Sequence, residues 1–142
     1  MKISSKTRYA LRTVLDLAVQ KETGVVRVTD IARRQNIPHK FLEQILLLLK
    51  GGGIVGSRRG AKGGYFLLKA PEEISLGDVV SLTEESLMTV PRVDDGSQGD
   101  AFSDVWEAIN AHVVSTLNSV SVAEMCERDD NLRRQRALEY SI

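Results

Sequence analysis

The sequence predicts a mainly α-helical protein with one small β-hairpin wing, arranged as a winged helix-turn-helix followed by a long dimerisation helix. Apolar residues recur at helical spacing along most of the chain, and a basic, glycine-rich stretch over residues 58–65 separates two short apolar runs. Charge is also segregated. Residues 1–70 carry 14 Lys or Arg and 4 Asp or Glu, whereas residues 71–142 carry 5 and 15. The basic half therefore suits a polyanionic partner, and the acidic half needs a different role.

The first two helices are predicted from apolar periodicity and from residues that end or cap helices. Apolar positions recur at helical spacing over residues 5–21, and Gly24 follows as a stop signal. Thr29 is expected to cap a second, short helix over residues 30–35, because its hydroxyl can accept a hydrogen bond from a free backbone N–H. Asp30 then lies favourably against the helix dipole.

The third helix completes a predicted helix-turn-helix. Asn36 and Ile37 form the turn, and Pro38 suits the first helical position, where its missing N–H costs nothing. The helix is expected to end at the glycines of residues 51–53. Its predicted buried face consists of Phe41, Leu42, Ile45, Leu46 and Leu49. In such a motif the second helix enters the DNA major groove.

Side chains at the exposed start of this helix are able to read bases: His39, Lys40, Glu43 and Gln44. Gln pairs with adenine, Glu accepts from cytosine N4, and Lys reaches guanine or phosphate. A few polar residues usually indicate only a solvated helix face, but the basic half and the following hairpin favour DNA binding. Lys2 and Arg8, in the basic amino-terminal segment, join the predicted DNA-binding residues.

The glycine-rich stretch is predicted to be the wing. Residues 54–57 and 65–68 indicate two short strands around it. Arg58, Arg59 and Lys62 are expected to lie along a phosphate backbone or in the adjacent minor groove. A nucleotide-binding P-loop is excluded because the Gly-Lys-Ser/Thr ending is missing and no βα unit precedes it.

The acidic half begins near Pro71. Ser75 and Asp78 have the spacing of a capping box and predict a short helix over residues 76–84. Residues 85–100 show no apolar period and predict a loop of unusual length. Ser121 and Glu124 predict the cap of one more short helix, followed by a polar tail that ends at Ile142.

A long helix over residues 102–120 is expected to mediate dimerisation. Its apolar stripe consists of Phe102, Val105, Trp106, Ile109, Val113 and Leu117. Such a stripe needs an apolar partner, and the remaining chain has few apolar residues to cover it. A second copy of the chain is the favoured partner, with packing inside one chain as the alternative.

Other features exclude classes of protein. The longest apolar run, residues 45–49, is too short to span a membrane, and the amino terminus lacks an apolar signal region. One cysteine cannot form an internal disulfide. The chain shows no catalytic Ser/His/Asp or Cys/His set, metal-ligand cluster or nucleotide fingerprint, so we expect a cytoplasmic protein that is not an enzyme.

From Met1 to about Val120, the chain resembles the Rrf2 family of bacterial winged-helix transcription regulators, because it contains a set of that family's motifs in the same order. The motifs are Lys2-Ile3-Ser4 with Tyr9-Ala10-Leu11, Ile31-Ala32, Phe41-Leu42-Glu43-Gln44 with Leu49, Arg59-Gly60 with Gly63-Gly64-Tyr65, and residues 74–79. The resemblance implies a homodimer on a partly palindromic operator, with long helices crossing at the interface. It implies DNA contacts from residues 39, 40, 43 and 44 and from Arg59 and its neighbours.

The chain departs from many members of that family, which hold an iron–sulfur cluster on three cysteines before the long helix. Residues 87–101 contain no cysteine, and Cys126 lies beyond that helix. One thiol per chain cannot supply the usual ligand set, so no cofactor and no metal are expected. Mixed ligation by His112, Asp94, Asp95 or Cys126 is the disfavoured alternative. We expect His112 to be an interface or solvated residue and Cys126 a small buried hydrophobe.

The chain is similar to the clusterless branch of the family, which includes repressors of cysteine metabolism. That resemblance implies that a partner protein, cysteine synthase, carries the signal. Serine acetyltransferases dock on cysteine synthase through a carboxyl-terminal isoleucine, and this chain also ends in Ile142. A small effector bound between the long helix and the winged domain is the alternative.

These observations predict a homodimeric, sequence-specific DNA-binding repressor that needs no cluster. Residues 1–84 would form the winged helix-turn-helix domain, residues 85–101 a loop, and residues 102–142 the dimerisation helix and tail. Two alternatives are a cluster-based or thiol-based sensor of the same family, and a winged-helix adaptor that binds an acidic protein.

Overall fold

A computed structural model of the protein describes residues 2–85 and 101–141. Most of the predicted 85–101 loop, and Ile142, lie outside these residues. The elements follow in the order α1 (Ser5–Val19), α2 (Val28–Gln35), α3 (His39–Gly51), β1 (Val55–Arg58), β2 (Gly64–Leu67), α4 (Leu76–Thr83), α5 (Ser103–Ser119) and α6 (Val122–Tyr140). Within the described ranges, no helix is both long enough and apolar enough to cross a membrane.

Helices α2 and α3 form the predicted helix-turn-helix. Asn36 adopts the left-handed conformation with φ of 52°, and the Ile37 N–H donates to the Ala32 carbonyl at 3.0 Å, which closes the turn. Two predicted boundaries were wrong. Arg27, and not Thr29, is the N-cap of α2, since helical geometry already begins at Val28. Pro38 is the N-cap of α3 and precedes the first helical residue.

The core of this domain lies under α3. Leu42, Ile45, Leu46 and Leu49 are fully buried, as predicted. The prediction for Phe41 was wrong, because its side chain is 56% exposed. Successive helical residues are about 100° apart, and this step places position 41 beyond the edge of the buried stripe.

The predicted wing is an antiparallel hairpin of β1 and β2, in which Val55 pairs with Leu67. Each strand differs from its predicted range by one residue. Val26 extends the sheet, because it exchanges two backbone hydrogen bonds of 2.8 Å with Tyr65. Gly64 permits this approach, since a Cβ there would lie 2.4 Å from the Val26 carbonyl oxygen. The wing is therefore fastened to the segment before α2.

The carboxyl-terminal elements begin with the predicted capping box. The Asp78 N–H donates to Ser75 Oγ at 3.0 Å, and the Ser75 N–H donates to Asp78 Oδ2 at 2.9 Å. Helix α5 also matches its predicted range closely. The expectation of a short final helix was wrong, because α6 has 19 residues. Three pairs spaced i,i+4 support it: Arg128 with Glu124, Arg133 with Asp129, and Arg134 with Asp130.

The start of α6 belongs to the core of the winged domain. Val122 is buried, and its N–H donates to the Ile74 carbonyl at 2.8 Å. The Leu76 N–H donates in turn to the Val120 carbonyl at 2.9 Å. These two bonds form a short bridge that joins the segments before α4 and before α6.

Candidate nucleic-acid interface

The exposed face of α3 brings together the four predicted base-reading residues: His39, Lys40, Glu43 and Gln44. The buried face of the same helix anchors it to the core, so these side chains project from a fixed support. His39 Nδ1 lies 3.4 Å from Glu43 Oε1. This pair orients Glu43 near the amino-terminal end of α3, the part that contacts bases in helix-turn-helix proteins.

The wing presents the other predicted contacts. Arg58, Arg59 and Lys62 are all exposed, next to or within the turn that joins β1 to β2. Gly60 adopts a φ of 111°, and the Gly63 N–H donates to its carbonyl at 2.9 Å. This backbone conformation, which few other residues adopt, lets a compact turn carry several cations.

A groove of about 580 Å³ lies between the wing and the helix-turn-helix, and it contains two cations that the sequence analysis missed. An Arg27 guanidinium N–H donates to the Ala61 carbonyl at the wing tip at 3.2 Å. Lys50 Nζ donates to Ser57 Oγ on β1 at 2.7 Å. Both residues therefore support the wing and add charge beside it. The sequence shows that Arg27 and Lys50 are basic, but only the fold shows that their side chains contact the wing.

The cationic side chains of this surface are available to bind an anionic ligand. Within residues 2–85 and 101–141, no Lys or Arg side chain on α3, in the groove or on the wing forms an ion pair with a carboxylate. The His39–Glu43 pair on α3 is ionic only if His39 is protonated. Unpaired Lys and Arg side chains can neutralise phosphates and release counterions. The two amino-terminal candidates, Lys2 and Arg8, are exposed but do not line the groove.

An ion pair between the buried Asp16 and the partly exposed Arg34 holds the helix-turn-helix against α1. Asp16 is only 3% exposed, and it accepts two hydrogen bonds of 2.9 Å from Arg34 and one of 3.0 Å from Gln35. The hydrogen bonds and charge of Asp16 raise the pKa of Arg34. This pair was not among the predicted site residues. It fixes the orientation of α2, and thereby of α3, relative to the rest of the domain.

Helix α5 exposes much of the predicted dimerisation stripe. Phe102, Val105, Trp106 and Ile109 are exposed, and Val113 is half-buried. Leu117 lies at the edge of the stripe and lines a pocket between α5 and α4 instead. An exposed apolar face of this length marks an interaction surface.

A helix-turn-helix with a cationic wing defines a winged-helix DNA-binding protein, and the comparisons agree. The profile of the Rrf2 family, described as iron-dependent transcriptional regulators, matches residues 3–128. The chain belongs to the Rrf2 family and is a DNA-binding transcription regulator. The predicted fold and family are thus confirmed, and so is the prediction that the protein is not an enzyme, because its relatives are regulators.

Three relatives show the extent of the similarity. The protein slr0846 of Synechocystis sp., named as an HTH-type transcriptional regulator, is 40% identical over 128 residues, which cover 88% of this chain and 87% of that protein. The regulator IscR of Serratia proteamaculans is 35% identical over 136 residues, covering 93% and 83%. The solved structure of CymR, the global cysteine regulator of B. subtilis, superposes with a TM-score of 0.79 at 31% identity, covering 90% and 98%.

The described residues do not fit the iron chemistry in the family's description. The whole sequence has one cysteine, and the described residues contain no group of three or more His, Cys, Asp or Glu placed to hold a metal ion. Cys126 is half-buried against the core. Burial, followed by the charge of Asp129, raises the pKa of its thiol, so the reactive thiolate is disfavoured.

Proposed function

We propose that the protein is a homodimeric, sequence-specific operator-binding repressor of the cytoplasm whose activity is controlled without a cluster. The observation that carries the DNA-binding mode is the joint exposure of the α3 face and the wing cations. In this proposal α3 enters the major groove. Gln44 pairs with adenine, Glu43 accepts from cytosine N4, and Lys40 and His39 contact nearby bases or phosphates.

The wing would hold the phosphate backbone beside that groove. Arg58, Arg59 and Lys62 carry the charge, while Arg27 and Lys50 keep the hairpin in place. Phosphate contacts fix register, and contacts from α3 choose the sequence. An acidic protein could also meet a basic surface, which is the adaptor alternative.

A DNA titration over several salt concentrations tests the mode of binding. The affinity of a direct DNA binder falls steeply with salt, because bound phosphates release counterions. Arg59→Ala should reduce the salt slope and weaken binding to all sequences, whereas Arg136→Ala on α6 serves as a matched control and should change neither. An affinity that is indifferent to Arg59→Ala would contradict the proposed wing.

The exposed stripe of α5 supports the homodimer. Two copies would bury these side chains against each other, and the pair of α3 helices would then meet two half-sites about one DNA turn apart. Ile109→Asp should convert the dimer to a monomer in sedimentation equilibrium and should weaken operator binding. Glu107→Gln, an exposed change on the same helix, is the control. A monomeric wild-type protein would refute this part of the proposal.

Repression and its control rest on the resemblance to clusterless cysteine regulators. An operator-bound dimer blocks RNA polymerase, so transcription in vitro from a promoter overlapping the operator should fall as protein is added. As a hypothesis, Ile142 docks on cysteine synthase. The full-length protein should then inhibit that enzyme, and deletion of Ile142 should abolish the inhibition; equal inhibition by both forms would reject the docking.

A small effector is the second candidate signal, and one cavity favours it. A pocket of about 340 Å³ lies between α4 and α5, with Ser81, Asn110 and Asn118 among its lining residues. A ligand there could change the angle between α5 and the winged domain. Ser81→Trp should fill the pocket and remove any metabolite-induced rise in melting temperature, without reducing operator affinity in the absence of metabolite.

Protein purified without oxygen tests cluster independence directly. A colourless dimer that binds its operator is expected. Brown protein with charge-transfer absorption would overturn the clusterless proposal and favour the sensor alternative.

A further inference from the structure

The recognition helix carries apolar side chains that no part of the described chain covers. Leu47 is 66% exposed, although the opposite side of α3 is fully buried. Phe41 and Leu48 are exposed on the same helix. Scattered exposed leucines are ordinary on protein surfaces, so the position of Leu47 matters more than its exposure.

Leu47 lies on the proposed base-reading face. It follows Glu43 by four residues and Gln44 by three, and these spacings place side chains side by side on a helix. Lys40 lies two turns earlier on the same side. Leu48 is about 100° further round, toward Phe41, and belongs to the edge of that face.

We propose that Leu47 contacts the C5-methyl group of a thymine and is a further specificity-determining residue. This inference rests on the proposed function, since it requires α3 to lie in the major groove. The thymine methyl is the apolar group that the major groove presents, and apolar side chains recognise it by contact. A hydrogen bond cannot replace this contact, because neither the leucine side chain nor the thymine methyl group forms hydrogen bonds.

The thymine should lie close to the base pair read by Gln44. Three helical residues advance about 4.5 Å along the axis, and one base pair advances about 3.4 Å. We therefore expect the contacted thymine within one or two base pairs of the position whose preference changes in Gln44→Ala.

Replacing thymine by deoxyuridine removes only the methyl group and provides the test. A high-affinity duplex is first selected from a random DNA pool by the wild-type protein. Each thymine of one half-site is then replaced singly by deoxyuridine, and affinity is measured by titration. Burial of one methyl corresponds to about a fourfold change in affinity, so one position should show a loss of about that size.

Leu47→Ala should reduce the thymine-to-uracil ratio at that position to near one while leaving the other positions unchanged. Leu138→Ala is a matched control, because Leu138 is 67% exposed on α6, and it should retain the wild-type ratio. Circular dichroism and thermal unfolding check that both variants fold.

The outcomes separate the two levels of the proposal. If no duplex is enriched, the proposed DNA-binding function itself fails. If a duplex binds but no thymine shows a methyl effect, or if Leu47→Ala keeps the full effect, only the role of Leu47 is overturned. Unchanged DNA selectivity in Leu47→Ala, with loss of binding to RNA polymerase, would assign the exposed leucine to a protein contact instead.

Discussion

Removing Arg34 should destabilise the domain far more than removing its neighbour Arg33. Arg34→Ala leaves the carboxylate of Asp16, which is 3% exposed, with Gln35 as its remaining side-chain donor among the described residues. Breaking a buried pair in this way costs about 3–5 kcal/mol. The Arg34 side chain is 32% exposed, so water can reach part of the site. We therefore expect a loss of about 2–3 kcal/mol in the free energy of unfolding.

Arg33 provides the matched control. Its pair with Asp30 is longer, at 3.4 Å, and its side chain is 76% exposed. Such surface pairs contribute less than about 1 kcal/mol. Arg33→Ala should therefore leave the unfolding midpoint nearly unchanged.

Urea denaturation followed by circular dichroism measures both variants, with the slope of free energy on urea checked for constancy. A double-mutant cycle with Asp16→Ala should give a coupling energy of about 2 kcal/mol, because the partners are in direct contact. Losses for Arg34→Ala and Arg33→Ala that agree within about 0.5 kcal/mol would refute this account of the Asp16–Arg34 pair.

Three other perturbations follow from the same structure. Hydrogen bonds from Ser4 and Thr7 lower the pKa of Glu84 below its usual value. The stability that these bonds confer is present above the unfolded pKa and is lost as pH falls through the folded pKa. The stability difference between wild type and Glu84→Gln should therefore shrink from pH 7 to pH 3 in urea titrations. Gly64→Ala should lower the melting temperature, because its Cβ would collide with the Val26 carbonyl. Arg27→Ala should weaken operator binding severalfold in equilibrium titrations by releasing the wing tip.

The first two of these perturbations have matched control variants, and the third has an outcome that would contradict it. Glu85→Gln, at the exposed neighbour of Glu84, should leave the free energy of unfolding at pH 7 nearly unchanged. Gly51→Ala, where a Cβ would meet nothing within 4 Å, should not lower the melting temperature. An unchanged operator affinity in Arg27→Ala would show that the wing holds its position without this hydrogen bond.

Most of the fold could be predicted because its signals are local. Ser75 and Asp78 are three residues apart and cap α4 as their spacing indicates. The wing was recognisable because its glycines and cations are contiguous in sequence. The apolar period of α3 likewise identified four of its five predicted core residues. The prediction for Phe41 failed because this residue lies about 40° beyond Ile45, at the edge of the buried stripe.

The remaining features depend on contacts between distant segments. Asp16 and Arg34 are 18 residues apart, and nothing near either residue indicates its partner. The support of the wing by Arg27 is equally non-local. Helix α6 was underestimated for another reason. It has no apolar stripe, and the sequence pattern that indicates its length is the set of i,i+4 ion pairs, such as Asp129 with Arg133.

The short bridge between Ile74 and Val122 has a mechanical consequence. It ties the carboxyl-terminal end of α5 to the winged domain, whereas the side chains of Phe102, Val105 and Trp106 at the other end are exposed. Seventeen residues span about 26 Å, so a tilt of about 10° at the tied end moves the far end by roughly 4 Å, more than the rise of one base pair, about 3.4 Å. In the proposed dimer, a small tilt at the tied end of α5 is therefore amplified into a larger displacement at its other end. A small rotation at this joint would move the two α3 helices out of step with successive turns of DNA.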